Sequence, residues 1–210
     1  MKTTKLLTSS IILTVTLVFG IHSSSLASAA SSHVVTYGDT MWKIAVKYQV
    51  GVSELINANP QLSNPNMIYP FQTISIPDGD ITAQSYTYEV VKLVNQERAK
   101  TGLSPLKENW ELSRVARYKS EDMAAKNYFS HTSPTYGSPF QMIKDFGISY
   151  RAAGENIAAG QKTPAEVVKA WMNSEGHRKN IMSNTFTEIG VGYVKGGSYG
   201  HYWTQMFTKK

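Results

Sequence analysis

His201-Tyr202-Trp203-Thr204-Gln205-Met206-Phe207-Thr208 sets Tyr202, Thr204, Met206 and Thr208 against Trp203, Gln205 and Phe207 in alternation. A period of two sends successive side chains to opposite faces, so this stretch is predicted to be a strand. Working outward, Glu188 to Val194 and Arg151 to Ala158 are the other strand candidates. Helical spacing governs the earlier part of the region. Val90, Leu93 and Val94 form one stripe between Tyr86 and Gly102, and Leu112, Val115, Ala116 and Met123 form another between Glu111 and Asn127. Ser138-Pro139-Phe140-Gln141 and Thr163-Pro164-Ala165-Glu166 each join a capping residue to a proline in the first helical position, so two more helices start at Ser138 and Thr163. Helices alternating irregularly with a few late strands predict an α+β or three-layer α-β-α domain over residues 85–210.

Upstream, Asp78-Gly79-Asp80-Ile81-Thr82-Ala83-Gln84 has no apolar period and reads as a linker, 78–84. The segment before it, 33–77, is near the lower size limit for a core without staples. His33-Val34-Val35 begins as a strand and Tyr37-Gly38-Asp39 is turn chemistry. Asp39 or Thr40 can cap a helix bearing Trp42, Ile44, Ala45 and Tyr48. Val52-Ser53 opens a second helix that stops at Asn57-Ala58-Asn59-Pro60, and Thr73-Ile74-Ser75-Ile76-Pro77 alternates as a closing strand. The expected order is strand, helix, helix, strand.

Residues 1–29 combine Lys2 and Lys5, an apolar run from Leu6 to Ile21 and the small-residue signal Ala27-Ser28-Ala29, the pattern of a secretory signal peptide cleaved near Ala29. The uninterrupted core from Ile11 to Ile21 is short for a membrane anchor, and no membrane span is expected after cleavage. The 210 residues, 41% apolar and 11% aromatic, suit two small packed domains and exclude a disordered or fibrous chain. With no cysteine there is no disulfide, thiolate metal site or cysteine nucleophile, so any metal must rest on His, Asp and Glu. The formal charge is +6 and falls to +4 without Lys2 and Lys5. Residues 85–210 hold most of the positive charge, 17 basic against 11 acidic. That suits a polyanionic cell envelope, and no nucleic-acid partner is expected.

Within the first segment, Gly38-Asp39-Thr40-Met41-Trp42-Lys43-Ile44-Ala45, Val50-Gly51-Val52-Ser53-Glu54-Leu55, Asn57, Asn59-Pro60, Ile68-Tyr69-Pro70 and Gln72 resemble the LysM domain. Phe71 departs from the pattern, which usually has Gly there, and is expected to alter that loop locally. The resemblance implies a small βααβ fold that binds N-acetylglucosamine-containing glycans such as peptidoglycan or chitin. The candidate glycan-binding residues are Gly38, Asp39, Thr40, Met41, Ile68 and Tyr69, in a groove between the loop after strand one and the loop before strand two. The alternative for Ile68 and Tyr69 is that they merely cover a very small core.

The second region resembles the CAP superfamily, in its bacterial SCP-like branch, through several segments in family order. They are Val94-Asn95-Gln96-Glu97-Arg98 with Gly102 to Leu106, Phe129-Ser130-His131-Thr132-Ser133-Pro134, Gly154-Glu155-Asn156-Ile157-Ala158, Trp171 to Met182, Phe186 to Gly192, and Tyr202 to Phe207. The resemblance implies a three-layer α-β-α sandwich in which two histidines and two glutamates often share a central cleft. His131, His177 and Glu155 match three of them. At the fourth position the chain has Ser174, with Glu175 one place later, and a shift of one residue turns a helical side chain by about 100 degrees.

Two imidazoles with one or two carboxylates would suit a divalent metal such as zinc, with an activated water making hydrolysis conceivable. The same groups could instead brace the fold through hydrogen bonds. The spacings His131 to Glu155 to His177, 24 and 22 residues, have none of the i, i+4 geometry of a helical zinc motif. No catalytic residue is assigned: Ser130 beside His131 lacks a nucleophile elbow, and a cleft does not itself imply turnover. The expectation is a secreted, cell-wall-associated protein with a glycan-binding module and a cleft for a ligand or protein partner. The alternative is a metal-assisted hydrolase acting on peptide or wall bonds. Lipid or sterol carriage, which some CAP relatives imply, ranks last because no apolar insertion marks it.

Overall fold

The computed structural model describes residues 31–77 and 80–210. The signal-peptide expectation for 1–29 lies outside the described residues, as do Asp78 and Gly79 of the linker.

The first module has the expected order β1 (Ser32–Val34), α1 (Met41–Tyr48), α2 (Val52–Asn57) and β2 (Thr73–Ser75). β1 and β2 pair antiparallel with His33 opposite Ile74. Thr40 caps α1 by accepting from the Lys43 amide, and Val35, Met41, Ile44, Ala45, Leu55, Ile74 and Ile76 form the core. So small a core needs a polar tie as well. The Asn59 side chain, 1% exposed, donates to the carbonyls of Leu55 (2.7 Å) and Ser75 (2.8 Å) and accepts from the Ser75 amide (2.8 Å), fastening α2 to β2.

The second domain comprises α3 (Ile81–Ala99), β3 (Lys107–Glu108), α4 (Trp110–Lys126), α5 (Pro139–Asp145), β4 (Ala152–Ala159), α6 (Pro164–Asn173), α7 (Glu175–Ile181), β5 (Glu188–Lys195) and β6 (His201–Lys209). Helix α3 starts earlier than the apolar stripe suggested. Asp80 caps it through the Ala83 amide (3.0 Å), so Ile81 to Gln84 are helical rather than linker.

The sheet runs β3-β5-β6-β4, with β4 antiparallel to β6, β6 antiparallel to β5, and β3 parallel to β5. The alternation of β6 divides the core. Tyr202 and Met206 pack with the residues of α4, whereas Trp203 and Phe207 join Val90, Val94, Val167, Val168 and Trp171 of α3 and α6. Helices on both faces of one sheet make the three-layer α-β-α sandwich. On the α4 side the layers nearly touch. A Cβ on Gly190 would lie 2.3 Å from the Leu112 carbonyl carbon, and one on Gly192 would lie 2.2 Å from backbone atoms of Ala116 and Arg117.

The modules meet through Glu54 of α2, whose Oε1 lies 2.6 Å from Arg117 Nη2 of α4. Burial opposes ionisation of Glu54, but the Tyr118 hydroxyl, the Gly51 amide and the Arg117 and Arg114 charges outweigh it and hold the carboxyl below its ordinary range. A cleft of about 890 Å³ opens beside this contact, lined in part by Tyr48, Glu54, Trp110, Arg114 and Arg117.

Candidate functional site

Glu155 sits in the middle of β4, the outermost strand of the sheet, with its side chain 2% exposed. One carboxylate oxygen lies 2.7 Å from His131 Nδ1; the other, Oε2, is buried with no hydrogen-bond partner. His131 comes from the loop after α4 and is half exposed. His177 comes from α7, on the opposite layer. Burial, and next the charge of nearby His131, hold its imidazole below the usual histidine range. The structure therefore pairs His131 with Glu155 and brings His177 within reach of the His131 charge. Glu175 does not join them: α6 ends at Asn173, Ser174 is extended between the helices, and Glu175 is exposed in the first turn of α7.

The loop carrying His131 is held from beneath by two charged residues of α4. Lys119, 1% exposed, donates from Nζ to the carbonyls of Ser130 (2.7 Å) and His131 (3.0 Å) and to the Tyr128 hydroxyl (3.3 Å). Asp122 accepts from the hydroxyls of Tyr128 (2.6 Å), Ser133 (2.7 Å) and Thr135. Burial works against its ionisation, yet these hydroxyls and Lys126 outweigh it and hold the carboxyl below its ordinary range.

Helix α7 is fastened to β4 by amides. Asn156 Nδ2 donates to the His177 carbonyl (3.1 Å) and to Gln205 Oε1 (2.9 Å), and Asn180 Nδ2 donates to Asn156 Oδ1 (2.9 Å) and to the Glu155 carbonyl (3.2 Å). Trp171 Nε1 donates to the Ile157 carbonyl (3.2 Å), so this indole is a core residue with a structural hydrogen bond. Ser130 Oγ accepts from the Thr132 amide (3.2 Å), a turn contact.

A metal has little to hold it as these groups stand. Glu155 Oε2 and the His177 ring are candidate donors, but no group of three or more His, Asp and Glu side chains able to hold an ion is gathered among the described residues. The residues do not fit a three-ligand zinc site.

In the first module the expected glycan residues divide between scaffold and surface. The Asp39 carboxylate accepts from the Thr36 amide (2.7 Å) and hydroxyl (2.8 Å) and lies 2.9 Å from His33 Nε2, while His33 Nδ1 lies 3.2 Å from the Tyr48 hydroxyl. Thr40 caps α1 and Met41 is 5% exposed in the core. Gly38, at φ +86°, makes the turn. Ile68 is half-buried against the core, and Tyr69 is exposed.

The His33 hydrogen bond, and next the Thr36 groups, hold the Asp39 carboxyl far below its ordinary value of 3.8. Its ionised form therefore stabilises the 33–39 loop above about pH 4, and that contribution is lost as pH falls further. Protection of the Thr36 and Val35 amides, measured against their intrinsic exchange rates, is expected to fall on acidification below pH 4 in the wild type, with Asp39→Asn weakly protected throughout and lacking that pH dependence. An unchanged profile in the variant would refute this role.

A family model of the cysteine-rich secretory protein family, CAP, matches residues 91–207. The chain belongs to the CAP family. A LysM domain model matches residues 33–77. The chain is 64% identical over 129 residues to the uncharacterized protein YkwD of Bacillus subtilis (strain 168), a match covering 61% of this chain and 49% of YkwD. It resembles the crystal structure of an extracellular protein containing an SCP domain from Bacillus anthracis str. Ames, at 32% identity and TM-score 0.57, covering 67% of this chain and 47% of that one. A match of 41% identity over 61 residues, 29% of this chain and 22% of the relative, links it to the probable autolysin SsaALP of Staphylococcus aureus (strain NCTC 8325 / PS 47). The chain spans about half or less of the length of each of these relatives.

The sequence pattern did not single out several residues that shape the CAP cleft and the LysM surface. In the CAP domain these are Lys119, Asp122 and the amides Asn156, Asn180 and Gln205. Lys119 did leave a signal, since it continues the apolar stripe Leu112, Val115, Ala116, where a charge must find partners. In the LysM domain they are Tyr37 and Met67, apolar side chains left in solvent; Phe71, exposed as well, was marked in the sequence as a departure from the LysM pattern.

Proposed function

We propose that this CAP-family chain is exported and retained at the cell wall. Its LysM domain binds N-acetylglucosamine-containing glycan of peptidoglycan, and its CAP domain offers a cleft for a ligand or protein partner. The LysM match supports the wall attachment. The secretory pattern of residues 1–29 supports export. The observation that carries the cleft is Glu155: its buried carboxylate has one oxygen on His131 and the other without a partner, beside a half-exposed imidazole. A buried acceptor left open costs folding free energy, and a ligand with a hydrogen-bond donor would recover it. His177, its imidazole held below the usual histidine range by burial and by the charge of His131, comes from α7 beside the same strand.

The donor geometry does not favour the hydrolase reading. Zinc uptake abolished by Glu155→Gln, together with fragment release from peptidoglycan abolished by His177→Ala, would restore it.

The full chain is expected to sediment with insoluble peptidoglycan in 1 M salt, where attraction between exposed charges is screened within about 3 Å. The CAP domain alone, residues 80–210, is expected to stay in solution because its positive charge offers only a screened attraction. Equal retention of both at high salt would overturn the division of labour.

A further inference from the structure

Tyr69-Pro70-Phe71-Gln72 closes a tight turn, with the Gln72 amide donating to the Tyr69 carbonyl (3.1 Å). Proline stands second, and Phe71, third, has φ +72°. This is the pattern of a type II turn, whose third position ordinarily takes glycine because a Cβ there crowds the backbone. A phenylalanine in this conformation is strained, and strained residues persist where packing or function holds them. Packing does not hold this one: Phe71 is 89% exposed and lies outside the module's core.

The turn's connections show where the ring stands. The Phe71 amide donates to the Val35 carbonyl (2.9 Å), and the Val35 amide donates to the Gln72 carbonyl (2.8 Å), which zips the turn to the end of β1. Two residues beyond Val35 is Tyr37, 97% exposed, immediately before the Gly38 turn. Phe71 and Tyr37 thus belong to the two loops between which the glycan groove is read, the first next to Ile68-Tyr69 and the second next to Gly38-Asp39-Thr40.

We propose that Phe71 and Tyr37 form an outer lip of that groove and stack on a sugar ring beyond those seated between the Gly38–Asp39 turn and Ile68–Tyr69, favouring longer N-acetylglucosamine chains. The proposal rests on the glycan-groove reading and extends it to chain length. A pyranose ring has an apolar C–H face that a flat aromatic ring covers while excluding water, and an aromatic side chain loses little conformational freedom in doing so. Two other occupants fit less well. Two aromatic side chains offer at most about 500 Å², against about 800 Å² per partner in a standard protein interface. Within 33–77, Lys43 and Lys47 are balanced by Asp39 and Glu54, leaving no net positive charge to draw the module to an anionic lipid surface.

The test measures binding of the full chain to N-acetylglucosamine oligomers of two to six units by calorimetry, with peptide-free peptidoglycan strands as a second arm to separate wall glycan from chitin-type glycan. Phe71→Gly is expected to weaken the longest oligomers about tenfold, the scale of one aromatic contact, and the shortest less than twofold. Tyr37→Ser is expected to act in the same direction. Amide exchange at Val35 and Ile74 should be no faster in Phe71→Gly than in the wild type, because glycine relieves the turn. Wild-type chain silent toward every oligomer and strand would overturn the glycan reading and this proposal together. Wild-type binding with both variants indistinguishable at all lengths would overturn the proposal alone. Faster exchange in Phe71→Gly would make the ring a structural element, and Phe71-dependent self-association or vesicle binding without a chain-length effect would assign the lip to another occupant; either result overturns it.

Discussion

Gly192→Ala is expected to destabilise the CAP domain by about 3 kcal/mol or more, at the upper end of overpacking costs. The added methyl would lie 2.2 Å from the Ala116 carbonyl carbon and from the Arg117 amide nitrogen. Both are helix backbone atoms, so no rotamer change can make room; α4 must lift from the sheet. Lifting it would separate Leu112, Val115 and Ala116, all fully buried, from Met206. Gly190→Ala meets the same wall at Leu112 and should behave alike, while Gly176→Ala, with no atom within 4 Å of its added carbon, is the control. Thermal unfolding followed by circular dichroism reads the effect. A Gly192→Ala protein as stable as the wild type would show that the close approach of α4 to β5 is not real.

Lys119→Met is the second large effect, about 2–4 kcal/mol, because it removes an ammonium that serves two backbone carbonyls in a buried place. Methionine preserves the length and the apolar stem, so the loss isolates the charge and its hydrogen bonds. The carbonyls of Ser130 and His131 lose their donor, and the buried carboxylates of Glu155 and Asp122 lose a neighbouring positive charge. The loop should loosen and His131 should leave Glu155. Faster amide exchange through residues 130–133 and loss of the His131–Glu155 contact in NMR spectra are expected alongside the lower melting point. Lys126→Met is the comparison. Lys126 pairs with the same Asp122 at 3.4 Å, but its side chain is half exposed, and its loss should cost no more than about 1 kcal/mol. Equal effects of the two substitutions would remove the special role given to Lys119.

The fold was legible where periodicity is local. The alternation of Tyr202 to Thr208 assigned β6, and the two faces it defines are the two faces of the core. Thr40, Ser138 and Thr163 mark helix starts where the capping rules place them. What could not be read depends on distant partners. β3 is two residues long and exists through its parallel pairing with Glu188 and Ile189. Helix α7 is separate because Ser174 leaves helical conformation, a break with no proline or glycine at that residue to announce it. In the cleft, the residues matched by family resemblance gave His131, Glu155 and His177, and the structure shows the first two in contact. The supports are polar side chains whose partners lie many residues away, such as Asn180 on the Glu155 carbonyl, and no sequence period encodes such a pairing.

The carbonyls of Glu155 and Ile157 have a further consequence for how copies of this protein behave beside one another. An outermost strand with open backbone groups is a template on which a second chain can add a strand. Here Asn180 and Trp171 already occupy the outward carbonyls at the centre of β4, and the opposite margin of the sheet, β3, is only two residues long. At the centre of β4 two alternate outward carbonyls are therefore closed to a neighbouring chain. The residues that fasten α6 and α7 in place also blunt the centre of this edge against strand addition from a neighbouring molecule.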